Sequence, residues 1–160
     1  MIFVAVGTQF PFDRLVRYVD EWLMTHDVIE PAFAQIGTGD YLPKVMTWDH
    51  FIDSKTYLEK VKQADLIISH AGMGNIITAI EQQTPIIVVN RQHALGEHRN
   101  DHQADGLEWM AKLDGVYTAS TKERLYDLLN NQYELKSQQT QQLPQRQRLI
   151  QHIDQLIANS

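Results

Sequence analysis

Residues 67–91, which read IISHAGMGNIITAIEQQTPIIVVNR, hold two apolar runs separated by a segment with helical periodicity. The runs LIIS (66–69) and IIVV (86–89) are short, continuous and rich in β-branched residues, as is typical of strands buried on both faces. The residues between them, 74–83, predict one helix. This order of elements predicts two parallel strands joined by a helix, the repeating unit of an α/β fold.

The same alternation extends in both directions along the chain. Further strands are predicted at 2–6, 32–37, 44–48 and 116–118, and further helices at 12–24, 55–63, 101–113 and 122–131. The first helix has apolar residues at helical spacing, namely Phe12, Leu15, Val16, Val19 and Leu23. Together these elements predict an α/β domain with a single, Rossmann-like, doubly wound parallel sheet. Ligands of such sheets bind beyond the carboxyl ends of the strands, so the loops there are the first candidates for a site.

The last 25 residues, 136–160, have a different composition. A glutamine-rich stretch, which favours a linker, precedes a segment with an apolar helical face formed by Leu149, Ile150, Ile153, Leu156 and Ile157. We therefore predict a Rossmann-like domain over 1–135 and a linker with a C-terminal amphipathic helix over 136–160. That helix docks either on its own sheet or on another chain.

The bulk composition excludes several classes of protein. A chain of 160 residues with 43% hydrophobic and 21% charged residues is typical of one soluble globular domain. The net charge of −6 argues against sequence-independent nucleic-acid binding. The lack of cysteine excludes disulfides and thiolate zinc sites within the chain. The apolar start MIFVAVGTQF has no basic region, which favours a first strand over a signal peptide and predicts a cytoplasmic protein.

The segment SHAGMGN (69–75) joins a predicted strand to a predicted helix through Gly72 and Gly74. Unpaired backbone N–H groups at a helix N-terminus attract anions, and glycine lets a phosphate approach the backbone closely. The neighbouring His70 and Asn75 strengthen this interpretation. The alternative is a tight turn without a ligand, in which His70 is a structural histidine.

The segment VGTQFPFD (6–13) forms a similar junction after the first strand. Gly7 supplies a flexible turn, and Thr8 and Gln9 supply polar side chains at the same edge of the sheet. Pro11 suits the start of a helix, and Asp13 adds a negative charge to its first turn. A simple loop without a ligand is the alternative interpretation.

The segment RQHALGEHRNDHQAD (91–105) concentrates polar side chains after another predicted strand. This pattern favours a loop that binds a hydroxyl-rich ligand. His98 and His102 would share one helix face and could chelate a metal, but a third ligand is undefined and no His-Glu-x-x-His pattern occurs. We therefore expect no metal site.

Three of these segments together resemble the C-terminal, nucleotide-sugar-binding domain of family 28 glycosyltransferases, which have the two-domain GT-B architecture. The segments are VGTQFPFDRLV, ADLIISHAGMGNIITAIEQQTPIIVVNR and GEHRNDHQAD, which anchor residues 6–105 in matching order and spacing. The chain is most similar to the stand-alone, PssE-type catalytic subunits of two-part polysaccharide transferases. The resemblance therefore implies the C-terminal half of a GT-B fold and a separate, membrane-associated subunit that holds a lipid-linked saccharide acceptor.

The resemblance also implies a role for each matching position. The donor diphosphate is expected at the first-strand turn, the glycine cradle and the following strand end, namely Gly7, Thr8, Gln9, His70, Ala71, Gly72, Met73, Gly74, Asn75 and Arg91. Uracil and ribose are expected near Phe51, Ile52 and Glu81. The donor sugar is expected at Glu97, His98, Asn100, Asp101, His102 and Gln103.

One departure from the family concerns the ribose. Many relatives have a glutamate on the helix after the cradle, where this chain has Thr78 and its nearest acid is Glu81, almost one turn further from the phosphates. The family's frequent glycine before the next strand is also replaced, by the sequence Gln83-Thr84-Pro85. The first change puts ribose selectivity in doubt, and the second affects only a turn.

The implied reaction is an inverting, metal-independent transfer of a sugar from a UDP-sugar to the lipid-linked acceptor, in surface or exopolysaccharide biosynthesis. His70 is expected to assist at the leaving phosphate, and Asp13 is the candidate general base within this chain. The protein is expected to reach the inner face of the membrane through its partner subunit. Two rival functions are a dinucleotide-binding protein, which would need the G-x-G-x-x-G pattern absent after the first strand, and a non-catalytic scaffold subunit.

Overall fold

The computed structural model of the protein describes residues 1–26, 31–91, 113–132 and residue 135. The strands and helices in these ranges follow the order that the sequence predicts, with two consecutive strands between residues 32 and 49. In chain order they are β1 (Ile2–Ala5), α1 (Asp13–Thr25), β2 (Ala32–Gln35), β3 (Thr47–Asp49), α2 (Ser54–Gln63), β4 (Leu66–His70), α3 (Met73–Glu81), β5 (Ile86–Val89), β6 (Val116–Ala119) and α4 (Lys122–Asn130).

The six strands form one parallel sheet in the order β3-β2-β1-β4-β5-β6. The chain runs outward from β1 to β3, then returns to the other side of β1 and runs outward again from β4 to β6. The strand order therefore reverses between β1 and β4, which pair from Ile2 with Leu66 to Ala5 with Ser69. Loops leave the carboxyl ends of these two strands in opposite directions, and such a switch point forms a crevice in open α/β sheets.

Alternate residues of the central strands pack into two separate apolar layers. Val4 and Ile68 belong to the layer that includes residues of α1 and α4, whereas Phe3 and Ile67 belong to the layer that includes residues of α2 and α3. All four of these residues are fully buried or nearly so. The sheet is thus covered on both faces, and the prediction of a single, doubly wound parallel sheet is confirmed.

A buried carboxylate explains why β3 begins later than predicted. Asp20 of α1 is 0% exposed, and its oxygens accept hydrogen bonds from the backbone N–H groups of Lys44 (2.9 Å), Val45 (3.0 Å) and Met46 (3.4 Å), and from the Tyr41 hydroxyl (2.7 Å). The backbone of residues 44–46 directs its N–H groups toward Asp20. The predicted strand at 44–48 is therefore wrong in position, and β3 spans only Thr47–Asp49 at the exposed edge of the sheet.

The turn after α3 shows how the chain manages without the glycine found in many relatives. Gln83 adopts a left-handed conformation with φ of 55°. Its N–H donates to the Ile80 carbonyl (3.1 Å), and the Thr84 N–H donates to the Ala79 carbonyl (2.9 Å). This pair of bonds is the Schellman motif, which ends a helix and usually has glycine at the left-handed position. The predicted helix at 101–113 and the segment 136–160 lie outside the described residues.

Candidate nucleotide site

A cavity of about 220 Å³ lies at the carboxyl edge of the sheet, beside the switch point. Its lining comes from the ends of β1 and β2, the start of α2 and the first turn of α3, namely Ala5, Gly7, Thr8, Gln35, Ile52, Asp53, Ser54, Tyr57 and Asn75. The structure thus brings together Gly7, Thr8, Ile52 and Asn75, four residues that the sequence assigned to a nucleotide. Gln9, which follows Thr8 in the chain, and Phe51, which precedes Ile52, are exposed and do not line this cavity.

The first turn of α3 presents backbone donors next to this cavity. The helix begins at Met73, and its N-cap is Gly72, which has no side chain to occupy the first N–H groups. The N-caps of α2 and α4, by contrast, are Asp53 and Thr121, whose side chains accept bonds from backbone N–H groups. The first turn of α3 contains no acidic residue. It is therefore a positive helix terminus of the kind that binds anions.

The glycines of the site serve different purposes. A Cβ atom on Gly72 would lie 2.3 Å from Cε1 of His70, and one on Gly7 would lie 2.8 Å from Nε2 of the same ring. Gly7 also has a φ of +85°, which disfavours any side chain. Both glycines are thus required by the imidazole between them. A Cβ on Gly74 would have no described atom within 4 Å outside its chain neighbours and the backbone of its own helix, so packing against the described residues does not require glycine there.

Arg91 fixes the orientation of the His70 ring. Arg91 follows β5, is 4% exposed, and lies with its guanidinium carbon 5.1 Å from the centre of the Phe12 ring. Its Nη1 donates to Nδ1 of His70 at 3.0 Å, and its Nη2 donates to the carbonyls of Val6 and Phe10, at 2.7 Å for Phe10. A guanidinium has no acceptor, so Nδ1 of His70 carries no proton and the neutral ring carries its proton on Nε2.

Gln35 is a central residue of the site that the sequence analysis missed. It ends β2, is 6% exposed, and accepts a bond from the Gly7 N–H at 3.0 Å. Its Nε2 donates to the carbonyls of Gly7 and His50, each at 2.9 Å. The side chain therefore joins the turn after β1 to the loop after β3. The available signal was an amide at the end of an otherwise apolar strand, where burial requires hydrogen-bond partners.

Tyr57 orients the amide of Asn75. Its hydroxyl donates to Oδ1 of Asn75 at 2.5 Å, and burial raises the pKa of Tyr57 above its ordinary value, so the hydroxyl remains a donor at neutral pH. Because Oδ1 accepts the hydrogen bond from Tyr57, the NH2 group of Asn75 is the part of the amide that is left for a ligand, and this group only donates. Hydrogen bonds from Thr56 hold the pKa of Asp53, which also lines the cavity, below its ordinary value, so this carboxylate is ionised at neutral pH.

The structure does not bring Asp13 and Glu81 into the cavity. Asp13 lies in the first turn of α1, as predicted, and its carboxylate accepts bonds from the N–H groups of Asp40 and Tyr41, each at 3.3 Å. Glu81 is the exposed last residue of α3, at the opposite end from the cradle. Ala71 is 5% exposed and packs in the core, so it can serve a ligand only through its backbone. Glu97, His98, Asn100, Asp101, His102 and Gln103 lie outside the described residues.

Within residues 1–26, 31–91 and 113–132, no three histidine or acidic side chains lie close enough together to hold a metal ion. In the same part of the chain, no helix has the length and apolar character needed to cross a bilayer.

A helix N-terminus beside a cavity at the switch point of a parallel sheet is the arrangement of nucleotide-binding α/β domains. Within that class, residues 1–158 match the glycosyltransferase family 28 C-terminal domain, and the chain therefore belongs to this family. The family and the enzyme class, a glycosyltransferase, are those that the sequence predicts.

Curated relatives and solved structures agree with this assignment. The chain is 32% identical over 110 residues to the mouse (Mus musculus) UDP-N-acetylglucosamine transferase subunit ALG13, and 30% identical over 107 residues to the human (Homo sapiens) protein. Each alignment covers 61% of this chain and 9% of the relative, so the match concerns a small part of those proteins.

The solved structures support the fold alone, because sequence identity is low. An NMR solution structure of ALG13 has a TM-score of 0.63 at 20% identity, covering 92% of this chain and 93% of that one. A crystal structure of Acinetobacter baumannii MurG has a TM-score of 0.62 at 20% identity, covering 99% of this chain and 49% of that one. Both confirm the Rossmann-like fold.

Proposed function

We propose that this chain is the donor-binding catalytic subunit of a two-part inverting glycosyltransferase that moves a sugar from a UDP-sugar to a lipid-linked acceptor. The observation that carries the proposal is the uncapped N-terminus of α3 beside the cavity, where Gly74 opens onto space that the described residues leave empty. The relatives' description as subunits of a UDP-N-acetylglucosamine transferase supports a UDP-sugar donor and a partner subunit.

The chemistry assigned to the cradle is electrostatic. In an inverting transfer, an acceptor hydroxyl attacks the anomeric carbon of the sugar, the bond from that carbon to the β-phosphate oxygen breaks, and UDP leaves with the bonding electrons. Backbone N–H groups at Met73, Gly74 and Asn75, the first residues of α3, would stabilise the charge that develops on the β-phosphate. The Gly72 N–H is not among them, because it donates to the His70 carbonyl at 2.7 Å. Fixed donors of this kind need no reorganisation during the reaction, and losing one typically lowers the rate by ~10²–10³. No metal ion is required by this proposal.

The cavity beside the cradle is assigned to the nucleoside. Ile52 supplies apolar surface, and Asp53 and Ser54 supply oxygen atoms that accept hydrogen bonds from ribose hydroxyls or from the base. The amide nitrogen of Asn75 would donate to the diphosphate from the adjoining wall. This assignment replaces Glu81 by Asp53 as the carboxylate nearest the nucleoside, because Glu81 lies at the far end of α3.

The acceptor side of the reaction is assigned to the partner. A membrane-associated subunit would hold the lipid-linked saccharide over the carboxyl edge of the sheet and recruit this chain to the cytoplasmic face of the membrane. The general base that takes the acceptor proton would then come from that subunit or from Asp13. A role in surface or exopolysaccharide biosynthesis fits a lipid-linked acceptor. The C-terminal segment 136–160 is a candidate for the contact between the subunits.

The test is a calorimetric titration of the full chain with UDP, UDP-sugars and NADH in the presence of EDTA. We expect saturable UDP binding by the wild type and its loss in Gly74→Asp. An acidic residue in the first turn of a helix is favourable for the fold, so lost binding would not reflect lost folding. Gly74→Asn is the matched control, because it adds a side chain of similar size without the charge and should bind UDP more tightly than Gly74→Asp.

Other results would support a rival function. Binding of NADH without UDP would contradict the proposal and favour a dinucleotide-binding protein. The absence of nucleotide binding, both alone and after co-expression with the acceptor-binding subunit, would leave a non-catalytic scaffold. If Gly74→Asp bound UDP with wild-type affinity, the assignment of the diphosphate to the N-terminus of α3 would be wrong.

A further inference from the structure

We propose that Arg91 is a positioning residue that acts on the donor diphosphate through His70, and that it is not itself a phosphate ligand. This inference rests on the proposed function, since it concerns the same site. It corrects the simplest interpretation of an arginine at a diphosphate site, which is direct contact with the phosphate. The contacts of Arg91 within the protein carry the argument.

The guanidinium of Arg91 is directed into the protein. The residue is 4% exposed, and the bonds described above engage Nη1 with the His70 ring and Nη2 with the carbonyls of Val6 and Phe10. Val6 and Phe10 flank the turn that contains Gly7. One planar group thus connects the turn after β1 to the ring at the end of β4, across a sequence separation of 85 residues to Val6. Such a rigid fork suits simultaneous bonds to several acceptors.

The second step concerns the proton of His70. A neutral imidazole without a partner distributes its proton between Nδ1 and Nε2. Arg91 can only donate to Nδ1, so it selects the form in which Nε2 carries the proton. The edge of the ring with Nε2 faces the backbones of Gly7 and Gly72, since a Cβ atom on either would lie 2.8 Å or 2.7 Å from Nε2.

The third step concerns location. Gly72 is the N-cap of α3, and Gly7 lines the cavity, so Nε2–H lies between the two turns that would receive the diphosphate. His70 oriented in this way adds a side-chain donor to the backbone donors of the cradle. Without Arg91, the His70 ring loses both its fixed tautomer and the guanidinium that contacts it on the Nδ1 side. The role of Arg91 is therefore to keep His70 a donor at the correct position.

The first measurement needs no ligand. Nitrogen-15 NMR of the imidazole should show His70 as the neutral tautomer protonated on Nε2 at pH 7.5 in the wild type, and a tautomer mixture in Arg91→Met. Arg14→Met is the matched control, because Arg14 lies over the same Phe12 ring at 5.3 Å and bonds the Asn90 carbonyl at 2.8 Å. We expect it to leave the His70 tautomer unchanged. A wild-type ring protonated on Nδ1 would overturn the proposal even if UDP does not bind.

The second measurement is a double-mutant cycle for UDP affinity. The single variants Arg91→Met and His70→Ala should each weaken UDP binding by about tenfold or more, the loss expected for one hydrogen bond to a charged group. Arg91→Met in the His70→Ala background should cause no further loss of affinity, while thermal stability falls in both backgrounds. Additive losses of affinity would show that Arg91 contacts the ligand or acts independently of His70. Failure of the wild type to bind UDP would instead contradict the proposed function.

Discussion

A methyl group at position 74 tests whether the space beside α3 belongs to a ligand. Gly74 lies in the first turn of a nine-residue helix, and an added Cβ would meet no described atom within 4 Å outside its chain neighbours and the backbone of that helix. Alanine is more favourable than glycine in a helix by up to ~1 kcal/mol. Gly74→Ala should therefore raise the free energy of unfolding by about 0.5–1 kcal/mol, or the melting temperature by about 1–4 °C.

The same substitution two residues earlier should have the opposite effect on stability. Gly72 has φ of −100° and ψ of 129°, which alanine adopts readily, so any cost comes from contact with His70. A Cβ at 2.3 Å from Cε1 forces the ring to move. Overpacking of this kind typically costs about 1–3 kcal/mol. Gly72→Ala should lower stability by this amount, and His70→Ala in the same chain should relieve part of the loss.

Both glycine variants should bind UDP at least ~10-fold more weakly, which corresponds to a loss of 1.4 kcal/mol or more. Urea denaturation measures the stability of each variant, and calorimetric titration measures its affinity for UDP. The informative result is a Gly74→Ala variant that is more stable than the wild type and binds UDP less well. Wild-type affinity in that variant would refute the assignment of the diphosphate to Gly74. A fall in its stability would refute the geometry of the turn.

Three further predictions concern the fold. Asp20→Asn should lower the free energy of unfolding by about 3 kcal/mol, because an amide nitrogen replaces one of the two oxygens that accept buried hydrogen bonds; urea denaturation that matches the wild type would contradict this. Gln83→Gly should raise the free energy of unfolding by about 0.5–1 kcal/mol. A left-handed residue other than glycine costs about 1–2 kcal/mol, and the greater freedom of glycine in the unfolded chain offsets part of the gain. Burial, followed by the hydrogen bond and charge of Asp20, raises the pKa of Tyr41, so its contribution to stability is complete below the ordinary value and declines as the pH rises above it. Tyr41→Phe should accordingly flatten the alkaline part of the stability profile measured by urea denaturation, and an unchanged profile would contradict the assignment.

Most elements of the fold are readable from local patterns. The strand at 86–89 and the helices that begin near Asp13, Ser54, Met73 and Lys122 were predicted within a residue or two of their bounds. Short β-branched runs and apolar spacings of three and four residues determine these elements, and both are local properties of the sequence. The position of β3 was not predictable in this way, because the buried carboxylate of Asp20 engages the backbone around residues 44–46 from another element.

The candidate site was predictable in outline but not in its internal connections. Gly7, Thr8, Ile52 and Asn75 were identified from their positions after strands and from the family resemblance, and they line the cavity. Gln35 was missed, since nothing in the residues around it indicates that its amide faces Gly7. Glu81 was assigned to the ribose from its place near the family's glutamate, but it lies at the far end of the helix.

The sequence by itself determined the alternating elements, the covered sheet and the family. It also indicated that an anion fits at the start of α3, because a glycine-rich junction between strand and helix has this property wherever it occurs. Only the tertiary structure decided why the junction has two glycines and a histidine. Gly72 makes room for the ring of His70, Gly74 leaves open space at the first turn of α3, and Arg91 selects the tautomer of the ring. These relations depend on the strand order, which brings β1, β4 and β5 side by side although many residues separate them in the chain.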